Sequence, residues 1–120
     1  MINQAARLLS TARVPSKPSK PGRPVVECAG SIAVGVEWTR PEDDGRAYIT
    51  GYLIKYGYKR EGFLDLVHNY DTVKVVGSTT NFTYDQLKKD TEYHFAVAAE
   101  NIAGQGEFSE FSDYISIGKY

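Results

Sequence analysis

The stretch Ile32-Ala-Val-Gly-Val-Glu-Trp38 carries the clearest structural pattern in the chain. Its large apolar side chains, Ile32, Val34, Val36 and Trp38, occupy every second position, and the residues between them are small or charged. Successive side chains of a β-strand point to opposite faces, so this alternation predicts a strand that buries one face. Trp38, the single tryptophan, has enough area to fill the centre of a core.

The same alternation recurs toward the C-terminus. Aromatic and β-branched residues at every second position favour strands, and they occur at Tyr52, Ile54, Tyr56 and Tyr58, at Phe82 and Tyr84, and at Tyr93, Phe95, Val97 and Ala99. Glycine, proline and polar residues between these runs predict turns, including a turn at 57–62 and a flexible loop at 101–106. About seven strands, with turns roughly every ten residues and no helical pattern after residue 13, predict an all-β sandwich of two antiparallel sheets.

The 120-residue chain divides by composition into three parts. Residues 1–14 are predicted to be an N-terminal extension, either a short helix or disordered, because an isolated helix of two turns is marginal in water. Residues 15–22 are predicted to be a linker, since their Pro, Lys and Ser favour extended polyproline II structure. Residues 23–120 are long enough to form one domain with its own core.

Charge and cysteine content exclude several classes of protein. The net charge is −1, but residues 1–26 hold five basic and no acidic side chains, so the predicted domain is acidic. An acidic domain without clustered Lys and Arg is a poor partner for nucleic acid. No stretch approaches the roughly 18 apolar residues of a membrane-spanning helix, so direct membrane insertion is not expected. Cys28 is the single cysteine, which excludes an internal disulfide.

The order and spacing of several motifs resemble the fibronectin type III family across about residues 21–118. The motifs are Pro21 and Pro24, Ser31 and Trp38, Pro41-Glu-Asp-Asp-Gly45, Ile49-Thr-Gly-Tyr-Leu-Ile-Lys-Tyr56, Leu87 and Tyr93, and Ala99-Glu-Asn-Ile-Ala-Gly-Gln-Gly106 with Ser109. The resemblance implies immunoglobulin-like topology and a tyrosine corner at Tyr93, in which the phenol bonds to an upstream backbone group. We expect the core to contain Trp38, Tyr52, Ile54, Tyr56, Leu87, Tyr93, Phe95 and Val97.

No residue pattern indicates catalysis or metal binding. The two histidines, His68 and His94, have no visibly paired nucleophile, and no serine has the glycine-flanked turn of a hydrolase. The acidic run at 42–44 lacks the alternating ligands of a calcium loop. Cys28 with either histidine gives too few ligands for a structural zinc site. We therefore expect a protein that is not an enzyme and that has no catalytic residue, metal or cofactor.

Strand parity predicts one candidate contact face and one modification site. Leu53, Lys55, His94, Ala96 and Ala98 should project from the outer face of the sheet, as a modestly apolar protein-contact patch or as ordinary solvent-exposed surface. Asn81-Phe-Thr83 matches the acceptor pattern for N-glycosylation, and the parity that buries Phe82 exposes Asn81. This acceptor pattern favours an extracellular or cell-surface location over the cytoplasm.

The resemblance implies a non-catalytic spacer and protein-interaction module. Its expected setting is a multidomain adhesion or receptor-type protein, in which a monomeric module contacts a protein partner or neighbouring domains. Two alternatives fit the same residues. One is an intracellular module of a giant sarcomeric or cytoskeletal protein, and the other is an accessory domain beside a catalytic domain.

Overall fold

The computed structural model describes residues 14–60, 70–88 and 90–116. These residues form eight β-strands and no helix: β1 Val25–Cys28, β2 Val34–Glu37, β3 Gly51–Arg60, β4 Tyr70–Val76, β5 Asn81–Tyr84, β6 Thr91–Asn101, β7 Gly104–Gln105 and β8 Ile115–Ser116. His68 and residues 1–13 of the predicted extension lie outside the described residues.

The strands form two antiparallel sheets. One sheet has the strand order β1-β2-β5, and the other has the order β4-β3-β6-β7, with β8 also pairing with β6. The long pairing of β3 with β6 runs from Gly51 opposite Glu100 to Arg60 opposite Thr91 and forms the spine of the larger sheet. This architecture confirms the predicted all-β sandwich.

The core lies between the two sheets and is mainly aromatic and β-branched. Its largest fully buried side chains are Tyr52, Phe95, Ile54, Val34, Val36 and Val97. Trp38 is 5% exposed and packs edge-on against Tyr52, with ring centroids 5.2 Å apart. Leu87 and Tyr93 are also buried, whereas Tyr56 is partly buried and packs against the cluster. The structure therefore places each of the eight expected core residues in or against one cluster.

Tyr93 anchors the crossover between β5 and β6. The Lys88 backbone N–H donates a hydrogen bond to Tyr93 Oη at 2.8 Å, which is the bond to an upstream backbone group expected of a tyrosine corner. Burial raises the pKa of Tyr93, and the bond from Lys88 partly offsets that shift. One residue earlier, the Leu87 N–H donates to the Ile32 carbonyl at 3.2 Å. The crossover is therefore bonded both to β6, through Tyr93, and to the segment before β2, through Ile32.

Three local predictions are wrong. Ile32 is 47% exposed rather than inward-facing, because β2 begins only at Val34. The contact that Ile32 makes is through its backbone carbonyl, which accepts a hydrogen bond from the Leu87 N–H. The turn expected at 57–62 does not begin at Gly57, because β3 continues to Arg60 in register with β6. The loop expected to be flexible at 101–106 is a tight hairpin, with Asn101 paired to Gly104 and buried.

Candidate functional site

The segment predicted as a linker lies along the edge of the sandwich. The backbone N–H groups of Ser16, Ser19 and Gly22 donate hydrogen bonds to the carbonyls of Gly45 (2.9 Å), Asp43 (2.8 Å) and Thr39 (3.3 Å). Pro18 and Pro21 of this segment are buried. Residues 16–22 therefore run antiparallel to residues 39–45 and contact the domain before β1 begins. The domain boundary at residue 23 stays a prediction.

Asn101 joins this segment to two loops. Its Nδ2 donates to the carbonyls of Ser16 at 2.7 Å and Asp44 at 2.8 Å, and its Oδ1 accepts from the Ala103 N–H at 2.8 Å. Asn101 is 4% exposed, so these bonds are shielded from water. A buried amide with three partners holds its neighbours in one arrangement, because each lost bond would leave a buried polar group unsatisfied.

Glycines permit the close approach of this segment. A Cβ atom at Gly45 would collide with the Ser16 carbonyl oxygen, and one at Gly106 would collide with the Pro18 carbonyl oxygen. Gly45 also has a φ of 76°, a left-handed backbone conformation that residues other than glycine rarely adopt. The turn after Pro41 and the β6–β7 hairpin are thus shaped to receive residues 16–18.

On the edge of β6 that does not pair with β3, the segment Phe108–Ser112 takes the place of a regular strand between β7 and β8. The N–H groups of Ser109 and Ser112 donate to the carbonyls of Val97 and Phe95, both at 2.8 Å. Each serine Oγ accepts the N–H of the same β6 residue at 3.0 Å. The two bonded serines are three residues apart on the segment, whereas their partners Phe95 and Val97 are two residues apart on β6. A spacing of three is expected for an extended chain with three residues per turn.

The aromatic residues of this segment interleave with cations. Lys55 Nζ lies 4.4 Å from the Phe108 ring centroid and 5.3 Å from that of Phe111. The His94 ring stacks between Phe111 and Tyr114, with centroids 3.9 and 4.3 Å away. We call this stack the aromatic ridge: Phe108, Lys55, Phe111, His94, Tyr114 and Lys59, with Lys59 Nζ 4.8 Å from the Tyr114 centroid.

The aromatic ridge lies over part of the predicted contact face, because Phe108 and Phe111 pack on Lys55 and His94. Leu53, Lys55 and His94 are only partly exposed, and Ala96 and Ala98 have no exposed area. The interpretation of the two alanines as exposed surface is therefore wrong. A partner approaching this face would meet the ridge, and whether any partner does so stays a prediction. The signal for the ridge was present in the sequence as the period of three in Phe108, Phe111 and Tyr114.

His94 is held as a neutral stacking ring. Burial lowers its pKa, and the positive charges of Lys55 and Lys59 lower it further. His94 Nε2 is buried and has no hydrogen-bond partner among the described residues.

The remaining expected sites are isolated side chains. Asn81 is exposed on β5, and Cys28 is an exposed free thiol at the end of β1. Within residues 14–60, 70–88 and 90–116, no three His, Cys, Asp or Glu side chains are grouped to hold a metal ion. Over the same part of the chain, no helix is long and apolar enough to cross a membrane.

Two antiparallel sheets around a buried indole, with a tyrosine corner at the crossover, define an immunoglobulin-like β-sandwich module. The fibronectin type III domain family matches residues 19–113, and the chain belongs to this family. The match confirms the resemblance inferred from the sequence. Domains of this family are generally non-catalytic modules.

The similar proteins are large. The chain is 37% identical over 98 residues to a titin homolog of Caenorhabditis elegans, covering 82% of this chain and a share of the relative that rounds to 0%. It is 30% identical over 105 residues to cardiac-type myosin-binding protein C of Gallus gallus, covering 88% of this chain and 8% of the relative. Human contactin-4 is 32% identical over 100 residues, with 83% and 9% covered. The chain spans less than a tenth of each.

Solved structures agree with these relatives. The twitchin kinase region of C. elegans is 26% identical with a TM-score of 0.73, covering 86% of this chain and 17% of that one. Domains A168–A170 of titin are 27% identical with a TM-score of 0.70, covering 86% of this chain and 33% of that one. This chain is thus similar to single modules within multidomain proteins.

Proposed function

We propose that this chain is a structural spacer and protein-interaction module of a longer protein, and that it fixes the direction in which the preceding polypeptide leaves it. The observation that carries the proposal is the Asn101 amide, which binds the Ser16 and Asp44 carbonyls from a buried position. A freely jointed linker would need no such contacts, because flexible linkers are solvated along their length.

The placement of the two chain ends supports a spacer role. The N-terminal segment is held at Asn101, the last residue of β6, whereas β8 pairs with Glu92 near the start of that strand. Asn101 is nine residue steps from Glu92 along β6, a distance of about 30 Å at about 3.3 Å per residue. The neighbouring parts of a longer chain would therefore attach at opposite ends of the sandwich.

Hydrogen exchange tests the spacer proposal. We expect the amides of Ser16, Ser19 and Gly22 to exchange at least about tenfold more slowly in the folded chain than in the same chain unfolded in urea, because each donates a backbone hydrogen bond. Amide-resolved NMR exchange on the full chain measures these rates. Rates equal to those of the unfolded chain would show that residues 16–22 behave as a free linker, and the proposal would fail.

The first candidate setting is a giant sarcomeric or cytoskeletal protein. The titin homolog, at 37% identity, and the twitchin and titin structures support this setting. Repeated modules that hold their neighbours at fixed angles suit a long chain that transmits position and force.

The second candidate setting is an adhesion or receptor-type protein. The relatives also include contactin-4 and ephrin type-A receptor 8, and Asn81 is exposed, as a glycosylated residue requires. Expressed through a secretory host, the chain is expected to gain the mass of one N-glycan and to lose it in Asn81→Gln. Intact mass spectrometry decides this, and an unmodified secreted chain would count against the second setting.

A further inference from the structure

Residues 16–24 repeat in character at every third position, as expected for an extended chain with three residues per turn. One face donates backbone N–H groups to residues 39–45, a second is buried proline, and a third is exposed and cationic. In that order, the faces are Ser16, Ser19 and Gly22; Pro18, Pro21 and Pro24; and Lys17, Lys20 and Arg23. Two faces therefore bind the sandwich, and the third carries one cation about every 9 Å.

The segment 107–114 has the same period of three. Its serines bond to β6, and its aromatic residues form part of the aromatic ridge. The remaining positions of the repeat are exposed and acidic, and they are Glu107, Glu110 and Asp113. The segment therefore carries a row of anions with the same spacing as the row of cations.

Two contacts join the row of cations to the row of anions. Lys20 Nζ lies 3.7 Å from Glu110 Oε1. Arg23 Nη2 donates to Asp113 Oδ1 at 2.7 Å, and Arg23 Nε donates to the Phe111 carbonyl oxygen at 2.8 Å. From the first contact to the second, both segments advance by three residues, so they run side by side in the same direction. We call this set of contacts the charge bridge: Lys20 with Glu110, and Arg23 with Asp113 and the Phe111 carbonyl.

We propose that the charge bridge couples the bonded N-terminal segment to the aromatic ridge, so that releasing either one loosens the other. This inference rests on the proposed function, because the coupling requires residues 16–22 to be held against the domain. Phe111 is the link, since its carbonyl accepts from Arg23 and its ring centroid lies 3.9 Å from that of His94. An arginine that holds the backbone of Phe111 therefore also restricts the ring.

The coupling is reciprocal, because a coupling free energy between two sites acts equally on both. A protein partner that bound the aromatic ridge would hold the N-terminal segment more firmly. A neighbouring module that drew the N-terminal segment away from residues 39–45 would loosen the ridge. The ridge would in this way respond to the position of the preceding module.

The size of the effect follows from the exposure of the charge bridge. The side chains of Arg23 and Asp113 are 55% and 86% exposed, and exposed ion pairs usually change an equilibrium by about two- to fivefold. Local opening of a short segment costs less free energy than global unfolding. A change of this size is therefore measurable at the amides of the two segments, where local opening controls hydrogen exchange.

Amide-resolved hydrogen exchange of the full chain at low salt tests the coupling with Arg23→Gln. We expect the amides of Gly22 on the N-terminal segment and Ser112 on the segment 107–114 to exchange about two- to fivefold faster than in the natural chain. The amide of Trp38, which bonds to the Thr80 carbonyl, is expected to keep its rate. Faster exchange at Gly22 with Ser112 unchanged would overturn the proposal. Equal acceleration at Trp38 would indicate global destabilisation and would overturn it too.

Lys17→Gln is the matched control for Arg23→Gln. It removes the same charge from the same segment, and among residues 14–60, 70–88 and 90–116 Lys17 forms no ion pair. We expect the amides of Gly22 and Ser112 to exchange in this control as they do in the natural chain. If both variants accelerated exchange equally, total charge rather than the charge bridge would set the rates, and the proposal would fail.

A charge swap tests the second contact of the charge bridge. Lys20→Glu places two carboxylates opposite each other, so we expect faster exchange at Gly22 and Ser112 and a change in the His94 ring proton resonances, which the stacked rings shift. Lys20→Glu/Glu110→Lys restores opposite charges and is expected to return the rates to within about twofold of the natural chain. Rates and resonances that stay at their Lys20→Glu values in the swap would contradict the proposal.

The Ser16 amide separates this inference from the proposed function, because Ser16 lies outside the charge bridge. Protection of Ser16 in the natural chain, together with a Ser112 rate that is insensitive to Arg23→Gln, would count against this inference alone. Exchange of Ser16 at the unfolded-chain rate in the natural chain would count against the proposed function as well.

Discussion

Replacing Trp38 with alanine is expected to lower the free energy of unfolding by about 3–5 kcal/mol, the usual cost of truncating a buried large aromatic side chain. Trp38 is 5% exposed and packs edge-on against the fully buried Tyr52. Both lost transfer free energy and the remaining cavity contribute, because a close-packed core relaxes only in part. A loss of this size is a large fraction of the stability of a small domain.

Urea unfolding followed by far-UV circular dichroism measures the effect of Trp38→Ala without relying on tryptophan fluorescence. Val25→Ala is the matched control, since Val25 on β1 pairs with Glu37, the residue before Trp38, and is 68% exposed. The control is expected to change stability by no more than about 0.5 kcal/mol. If Trp38→Ala were no more destabilising than Val25→Ala, the indole would not be the centre of the core.

The core could be predicted from the sequence because strand parity is a local property. Alternation of apolar residues within six or seven positions already determines which side chains share a face, as it does for Tyr52, Ile54 and Phe95. The prediction that Ile32 faces inward was wrong, because β2 begins to pair with β1 only at Val34. Before that residue the alternation of a strand does not determine where a side chain points. Strand ends depend on the partner strand, which the pattern itself does not contain.

The candidate site could be predicted only in part, since its contacts are formed between distant segments. Parity correctly placed Lys55 and His94 on one face, but it carried no information on residues 108–114, which lie across that face. The period of three there is neither strand nor helix, so a search for those two periods passes over it. Likewise, residues 15–22 favour extended structure because of their Pro, Lys and Ser content. That preference is the same whether the segment is free or bound to a buried amide, so the sequence could not predict its contact with Asn101.

Replacing Asn101 with alanine is expected to lower the free energy of unfolding by about 2–4 kcal/mol, because three hydrogen bonds of about 1 kcal/mol each are lost and their partners are partly buried. The partners are the carbonyls of Ser16 and Asp44 and the Ala103 N–H. Asn81→Ala in a host that does not glycosylate is the matched control, since Asn81 is exposed and its truncation is expected to change stability by no more than about 0.5 kcal/mol.

Asn101→Asp separates hydrogen bonding from side-chain volume. The aspartate keeps the shape and can still accept from Ala103, but it replaces both donors with an oxygen facing two carbonyls, so we expect it to be at least as destabilising as alanine. Urea unfolding measures stability, and amide exchange reports whether Ser16 loses protection before Ser112, which bonds to Phe95, six residues before Asn101 on β6. Selective loss at Ser16 would show that one buried amide holds the N-terminal segment to the sandwich. Equal loss at both amides would mean that the segment is released only when the whole domain unfolds.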